Sequence, residues 1–259
     1  MVPKFFHGGE TTRNPNSADE LVSWPLSDGA VHFFYWFIQG SIMFPDARDA
    51  LRGSWGFCER HAWACLSVEM AFRDRFLLGP AILYEELLER AVRHLAIRGL
   101  LRHRRLLRAL LAKRPCMACE LDIEKAGRGA FSQNALDRGR DTDPLRSFAL
   151  ETKNHWRKAV CGACSGDGLS LRCRPHLVQD LAAKVAIDQT AHCRNVQSAL
   201  TDLNSFYRSL LWGYTGVVTA EQRASIFVAV GWMSGWRPLL ALTGGRRVNP
   251  IDDEPNVES

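Results

Sequence analysis

Four pairs of residues of the types that bind metals, each pair separated by two residues, constrain this sequence more than any other feature. The pairs are Cys58/His61, Cys116/Cys119, Cys161/Cys164 and Cys173/His176. A two-residue spacer at a turn or helix start lets both side chains face one ion, and Zn²⁺ prefers four N or S ligands in a tetrahedron. Two Cys-Cys and two Cys-His pairs make two complete Cys3His sets. The sequence therefore predicts two metal sites, with Cys65 and Cys193 left as buried, inert thiols.

Which pairs share a metal depends on the length of chain between them. In the local arrangement the two later pairs are separated by 8 residues and the two earlier pairs by 54, whereas the crossed arrangement requires spans of 53 and 99 residues. The crossed arrangement costs roughly 2 kcal/mol more in loop-closure entropy, which favours the local one. Because a structural zinc site contributes on the order of 10–16 kcal/mol, packing can reverse this preference, and both arrangements stay open.

The same thiolates can also bind a [4Fe–4S] cluster, which takes mostly Cys ligands with an occasional His. Three features favour zinc: there is no Cys-x2-Cys-x2-Cys run, no Cys-Pro ends the pattern, and each set contains a His. A closed site with four protein ligands is structural, because catalysis needs an open coordination position. The first hypothesis is thus a protein with structural zinc that acts as a binding or regulatory module for a protein or nucleic-acid partner. The alternative is a metalloenzyme or redox protein that uses an iron–sulfur cluster or an open zinc site.

Helical periodicity recurs along the chain, whereas strand signals are nearly absent. The segments Gly56–His61 and Leu171–His176 each begin an apolar helix, and they lie 115 residues apart. This internal similarity predicts an all-α multi-helix bundle of two pseudo-repeated halves joined by Cys/His metal knuckles. The expected boundaries are a flexible segment 1–26, a first half 27–115, a second half 116–243 and a flexible tail 244–259.

Proline and glycine positions predict where the individual helices begin and end. Residues 28–44 are expected to form an aromatic-rich buried helix, and Cys58–Phe76 a second one. A much longer helix is expected from Pro80 to Arg114. The segment Gly127–Asp143, rich in Gly, Asp and Arg, is expected to be a loop.

The end of the long predicted helix is strongly basic. Residues 90–114 contain nine Arg or Lys and no Asp or Glu. Such a surface is suited to the phosphates of a nucleic acid or to an acidic protein partner. The alternative is a solvated helix face on which some of the cations pair with acidic residues from elsewhere. The candidate contact residues are Arg98, Arg102, Arg104, Arg105 and Arg108.

Composition and length are those of an ordinary globular protein, with 259 residues, 46% hydrophobic, and a net charge of +5. The most apolar runs, Ala30–Phe44 and Ile226–Trp236, are shorter than the roughly 18 residues that a membrane-spanning helix needs. Without a span or a signal peptide, we expect a cytoplasmic protein whose cysteines stay reduced. Arg outnumbers Lys 27 to 6, as in GC-rich bacterial genomes. No phosphate-binding loop, Gly-x-Ser-x-Gly or His-Glu-x2-His motif identifies an enzyme, which leaves that question undecided.

Three stretches resemble an uncharacterised bacterial all-helical family: Gly56–Trp63, Pro80–Leu88 and Cys116–Cys119. In that family each half pairs a Cys-x2-Cys with a downstream Cys-x2-His. The present sequence departs from this pattern, because Val31–Phe34 stands where the first half is expected to carry its Cys-x2-Cys, and Cys161/Cys164 takes over that role. The resemblance implies a metal or cluster site and the crossed pairing, and it implies no particular activity.

Overall fold

The computed structural model describes residues 26–73, 76–127, 129–168 and 171–244. Within these ranges every regular element is a helix, which confirms the predicted all-α, multi-helix fold. The predicted flexible segments 1–26 and 244–259 lie outside the described residues, except for Leu26 and Gly244.

Prolines lie in the first turn of several helices, where the missing N–H costs no hydrogen bond. Short 3-10 helices, Ser41–Met43 and Arg157–Ala159, follow α1 and α9. The α-helices of the described chain are α1 (Asp28–Ile38), α2 (Pro45–Ser54), α3 (Glu59–Arg73), α4 (Leu78–Leu95), α5 (Arg102–Leu110), α6 (Met117–Glu120), α7 (Gln133–Arg140), α8 (Asp143–Glu151), α9 (Lys153–Trp156), α10 (Gly162–Ser165), α11 (Arg174–Ala182), α12 (Gln189–Ser209), α13 (Ala220–Ser234) and α14 (Arg237–Leu242).

The prediction of one long helix up to Arg114 was wrong, because the segment forms two helices. After α4 ends at Leu95, Gly99 turns the chain with a φ of +105°, a conformation that favours glycine. The side-chain amide of Gln189 on α12 donates to the carbonyls of Leu95 and Ile97, at 2.8 and 2.7 Å. It thereby satisfies carbonyls that a helix end leaves free. The apolar periodicity continues through the break because α4 packs against α12 whereas α5 packs against α11.

Other expected boundaries differ from the observed ones. The first buried helix ends at Ile38 rather than near residue 44, and α3 ends at Arg73. The segment 127–143, expected to be a loop, contains α7, whose start is capped by Ser132 Oγ accepting from the Ala135 N–H at 3.2 Å. This helix has few buried residues, chiefly Leu136 and Gly139, so its apolar pattern is too sparse to recognise.

A continuous hydrophobic core runs through the described helices. Helix α12 packs most extensively against α4 on one side and α13 on another. Large aromatic side chains fill the core, and Trp55, Trp63, Trp156 and Trp236 are fully buried. The predicted division into halves 27–115 and 116–243 stays a prediction.

The start of α3 is fixed by residues from the other end of the described chain. The Glu59 carboxylate accepts from the backbone N–H and the Nε of Arg237, at 2.9 and 2.7 Å. The Trp63 indole N–H donates to the Gly235 carbonyl at 2.8 Å, and the Ser234 hydroxyl donates to the Phe57 carbonyl at 2.9 Å. Contacts across more than 170 residues thus position the helix that begins beside Cys58.

Candidate metal centres

Each of the four Cys/His pairs lies at the start of a helix. Cys116 and Cys161 are the N-caps of the short helices α6 and α10. Cys173 is the N-cap of α11, and Cys58 directly precedes α3. Residues three apart point to the same side of a helical turn. The two-residue spacer therefore brings both side chains of each pair to one point, as the sequence predicts.

The first group of ligand atoms, here called site 1, consists of Cys58, His61, Cys116 and Cys119. The Nδ1 of His61 lies 3.3 Å from the Sγ of Cys58, 3.3 Å from that of Cys119 and 3.6 Å from that of Cys116. The Sγ atoms of Cys58 and Cys119 are 3.8 Å apart. Site 1 thus joins the start of α3 to α6.

The second group, site 2, consists of Cys161, Cys164, Cys173 and His176. The Nδ1 of His176 lies 3.3 Å from the Sγ of Cys161, 3.5 Å from that of Cys164 and 3.1 Å from that of Cys173. The Sγ atoms of Cys164 and Cys173 are again 3.8 Å apart. Site 2 joins α10 to the start of α11.

The grouping is the local arrangement that loop-closure entropy favours. The crossed pairing implied by the family resemblance is wrong, because each Cys-x2-Cys lies against the nearer Cys-x2-His. In site 2 a backbone hydrogen bond of 3.0 Å from Gly162 N to Leu171 O holds the two knuckle segments side by side. This bond keeps the two ligand pairs of site 2 close together.

The separations between ligand atoms match one four-coordinate ion. With Zn–S near 2.3 Å and Zn–N near 2.0–2.1 Å, a tetrahedron has edges of about 3.8 Å between sulfurs and about 3.5 Å between sulfur and nitrogen. The observed edges are 3.8 Å and 3.1–3.6 Å, and all four atoms of each group lie within 4.8 Å of one another. In a [4Fe–4S] cluster each ligand binds a different iron, so the ligand atoms are separated by the width of the cluster.

The electrostatics of site 2 call for a cation. Hydrogen bonds from Cys164 and Cys173 hold the pKa of the Cys161 thiol far below its usual range. The bond with Cys161 raises the pKa of Cys164 to about 12, and burial raises that of Cys173 well above its usual range. Without a cation, ionisation of Cys161 therefore disfavours ionisation of Cys164 and Cys173. A divalent cation at the centre allows all three sulfurs to ionise together.

The histidine of site 1, His61, has a carboxylate partner, Glu124, that cannot be identified from the sequence. Glu124 accepts from His61 Nε2 at 3.3 Å and from Arg60 Nη2 at 2.8 Å. Burial alone would lower the pKa of His61, but hydrogen bonds with Cys116, Cys119 and Cys58 raise it above its usual range. A carboxylate on the far ring nitrogen fixes the tautomer and orientation of a metal-ligating histidine. Glu124 carries no spacing motif, and only the fold brings it to His61.

The five candidate cations of the basic segment lie in α5 and the turn before it. All five are exposed, and none forms an ion pair within the described part of the chain; they are Arg98, Arg102, Arg104, Arg105 and Arg108. Other basic residues of the segment are engaged. Arg114 pairs with Glu120 at 2.6 Å, Arg93 lies 3.8 Å from Glu89, and the Arg90 guanidinium stacks 3.9 Å from the Trp55 ring centroid.

Helix α5 is attached at both ends to the helix that begins in site 2. At the start of α5, His103 Nε2 lies 2.7 Å from the carbonyl of Leu181 near the end of α11. At its end, Arg174 Nη1 donates to the Leu110 carbonyl at 3.0 Å, while Arg174 Nε donates to the Met233 carbonyl at 3.1 Å. Burial lowers the pKa of Arg174 to about 10. The sequence gives no reason to single out this arginine, which links α11, α5 and α13.

The remaining cysteines lie outside both groups. Cys65 is buried in the core, as expected, whereas Cys193 is only partly buried.

None of the described helices is long and apolar enough to cross a membrane. No family model, curated protein or solved structure matches this chain.

Proposed function

We propose that this protein is a cytoplasmic helical binding module in which two structural zinc ions, one in each Cys3His site, hold the fold around an exposed basic helix. The observation that carries this proposal is the tetrahedral spacing of both sets of ligand atoms. Each set is closed, because four protein ligands leave no position for water or substrate. This favours a structural metal over an enzyme with an open zinc site.

Zinc suits these sites better than an iron–sulfur cluster. Ligand atoms within 4.8 Å of one another leave room for a single ion and not for a cluster of irons and sulfides. Each site also contains one histidine, a common zinc ligand in Cys3His structural sites. The metalloenzyme or redox alternative therefore has no separate observation in its favour.

The basic helix α5 supplies the surface for a partner. Its four exposed arginines, and Arg98 just before it, have no acidic partner among the described residues. This supports a role in binding an anion and disfavours the alternative in which these cations pair within the protein. A nucleic-acid backbone and an acidic protein surface both offer the complementary charge. Arg174 and His103 hold α5 on α11, so site 2 fixes the position of this surface.

Metal analysis of purified protein tests the first part of the proposal. Inductively coupled plasma mass spectrometry is expected to find two zinc ions per chain and no stoichiometric iron. The variants Cys173→Ala and His176→Ala are expected to lose site 2 zinc together with solubility. The matched control is Cys193→Ala, which removes a cysteine outside both groups and is expected to keep both ions. A soluble Cys173→Ala protein with its full zinc content contradicts the assignment.

Charge reversal on α5 tests the second part. The triple variant Arg102→Glu, Arg104→Glu, Arg105→Glu is expected to lower affinity for a labelled DNA duplex by at least about tenfold and to flatten its salt dependence. The control reverses three exposed arginines outside α5, namely Arg146, Arg194 and Arg208. A parallel titration with polyglutamate distinguishes an acidic protein partner from a nucleic acid. If neither polyanion binds, or if both triple variants behave alike, the role of α5 is contradicted.

A further inference from the structure

The two sites have the same geometry but differ in their access to solvent. The Sγ–Sγ separation is 3.8 Å between Cys58 and Cys119 in site 1 and 3.8 Å between Cys164 and Cys173 in site 2. In site 1 Cys119 is exposed and Cys58 is partly exposed. In site 2 all three cysteines are buried, and Cys161 has 0% of its surface exposed. The two sites thus share their ligand geometry and differ in the solvent exposure of their cysteines.

Exposure decides which thiolates an oxidant reaches. Oxidation of cysteine requires thiolate character and solvent access together. Coordination by zinc gives thiolate character to all six cysteine ligands, because the bound sulfur is deprotonated. Only site 1 also has cysteines that solvent can reach. Its two accessible sulfurs are neighbours, and they need to close only from 3.8 Å to about 2.0 Å to form a disulfide.

We infer that Cys119 and Cys58 form a peroxide-sensitive pair, and that oxidation of this pair to a disulfide expels the zinc of site 1 while site 2 keeps its own. The inference rests on the proposed function, since it requires zinc in both sites. It assigns to site 1 a modification that the closed structural role does not include. The oxidant is a peroxide, here hydrogen peroxide.

The chemistry balances in two steps. The exposed Cys119 thiolate attacks one oxygen of hydrogen peroxide, the O–O bond breaks, and sulfenic acid and hydroxide form. The Cys58 thiolate then attacks the sulfenic sulfur, an S–S bond forms, and a second hydroxide leaves. Two thiolates lose two electrons in total, and the peroxide is reduced to two hydroxides. Only Cys116 and His61 remain as ligands, so the zinc dissociates.

Loss of this zinc releases a defined part of the fold. Site 1 holds the short helix α6 and the turn after it against α3. The same turn lies directly on α1, since the Cα of Gly29 faces the carbonyls of Ile123 and Ala126 without room for a Cβ. Helix α5 ends at Leu110, six residues before Cys116. The segment from the end of α5 to residue 127 is therefore the part expected to loosen, while α11 stays fixed by site 2.

The test treats the zinc-loaded protein with hydrogen peroxide and follows zinc release with a chromogenic chelator. We expect release of one of the two zinc ions, and disulfide mapping by mass spectrometry should find Cys58 linked to Cys119. The cysteines of site 2 should stay reduced. Dithiothreitol with added zinc should restore the second ion. The variant Cys193→Ser, which removes the partly exposed cysteine outside both groups, should respond like the wild type.

The zinc count before oxidation separates the two proposals. Fewer than two zinc ions per chain at that point overturns the proposed function and this inference with it. Two ions followed by no release, by release of both together, or by earlier oxidation of Cys161, Cys164 and Cys173 overturns the inference alone. Both sites are compared within the same wild-type protein, so the result does not depend on whether a ligand variant folds.

Discussion

At the scale of single residues, Glu69 is a buried carboxyl group outside both candidate metal sites. It lies on α3 with 0% of its surface exposed. Its Oε1 accepts from the Gly79 N–H at 3.4 Å, and its Oε2 has no hydrogen-bond partner. Burial raises the pKa of Glu69 to about 8. The folded protein therefore holds a proton on this carboxyl group at neutral pH.

This proton makes stability depend on pH in a definite direction. Between the unfolded pKa of about 4.3 and the folded value, the folded state binds more protons than the unfolded state, so the free energy of unfolding falls as pH rises. For the zinc-loaded protein in urea, we expect wild type to lose stability relative to Glu69→Gln between about pH 6.5 and 8.5, by an amount on the order of 1 kcal/mol or more. The exposed control Glu89→Gln should show no such trend. A constant difference between wild type and Glu69→Gln contradicts the assignment.

At the scale of elements, close packing between α1 and the turn after α6 depends on a glycine. A Cβ on Gly29 would lie 2.0 Å from the Ile123 carbonyl oxygen and 2.4 Å from that of Ala126. These carbonyl groups belong to the backbone, so they cannot move aside as the end of a flexible side chain can. We expect Gly29→Ala to cost about 1–3 kcal/mol of unfolding free energy, although alanine is the better helix former.

The nearby Gly127→Ala is the control, because a Cβ there meets nothing within 4 Å. Its stability should stay within about 0.5 kcal/mol of wild type in urea unfolding followed by circular dichroism. Equal stability of the two variants would show that α1 does not lie on this turn as described.

Elements also show how far the sequence predicts the structure. The helical fold and the eight residues of the two groups are predictable, because ligand spacing and helix starts are local properties of the chain. The break after Leu95 is not, because it is set by Gln189, which lies far along the sequence on α12. Glu124 and Arg174 are missed for the same reason: each acts through a contact that only the assembled fold creates.

At the scale of the whole molecule, sites 1 and 2 are connected through one ion pair. Glu59, the residue after Cys58, accepts three hydrogen bonds from Arg237. Helix α14, which begins with Arg237, packs against α10 of site 2. The ion pair with Glu59 raises the pKa of Arg237 above its usual value. The start of α3 in site 1 and α10 in site 2 are therefore connected through α14.

Removal of both metals is expected to abolish the fixed packing of the protein. A structural zinc site contributes on the order of 10–16 kcal/mol, whereas a typical domain is stable by about 5–15 kcal/mol. Chelation should therefore leave helical far-ultraviolet circular dichroism but remove the near-ultraviolet signal of the buried tryptophans. Re-addition of zinc should restore it. A chelated protein with an unchanged near-ultraviolet spectrum would show that packing alone maintains the fold.

The contacts between the start of α3 and the junction of α13 and α14 have a consequence for synthesis. All four ligands of site 1 have been translated once residue 119 is added, yet Phe57, Glu59 and Trp63 find their partners only at residues 234–237. On the ribosome, site 1 can therefore bind its ion long before α3 has the residues against which its start packs. Nascent chains halted between these two points should thus carry a metal before the start of α3 can make its contacts with residues 234–237.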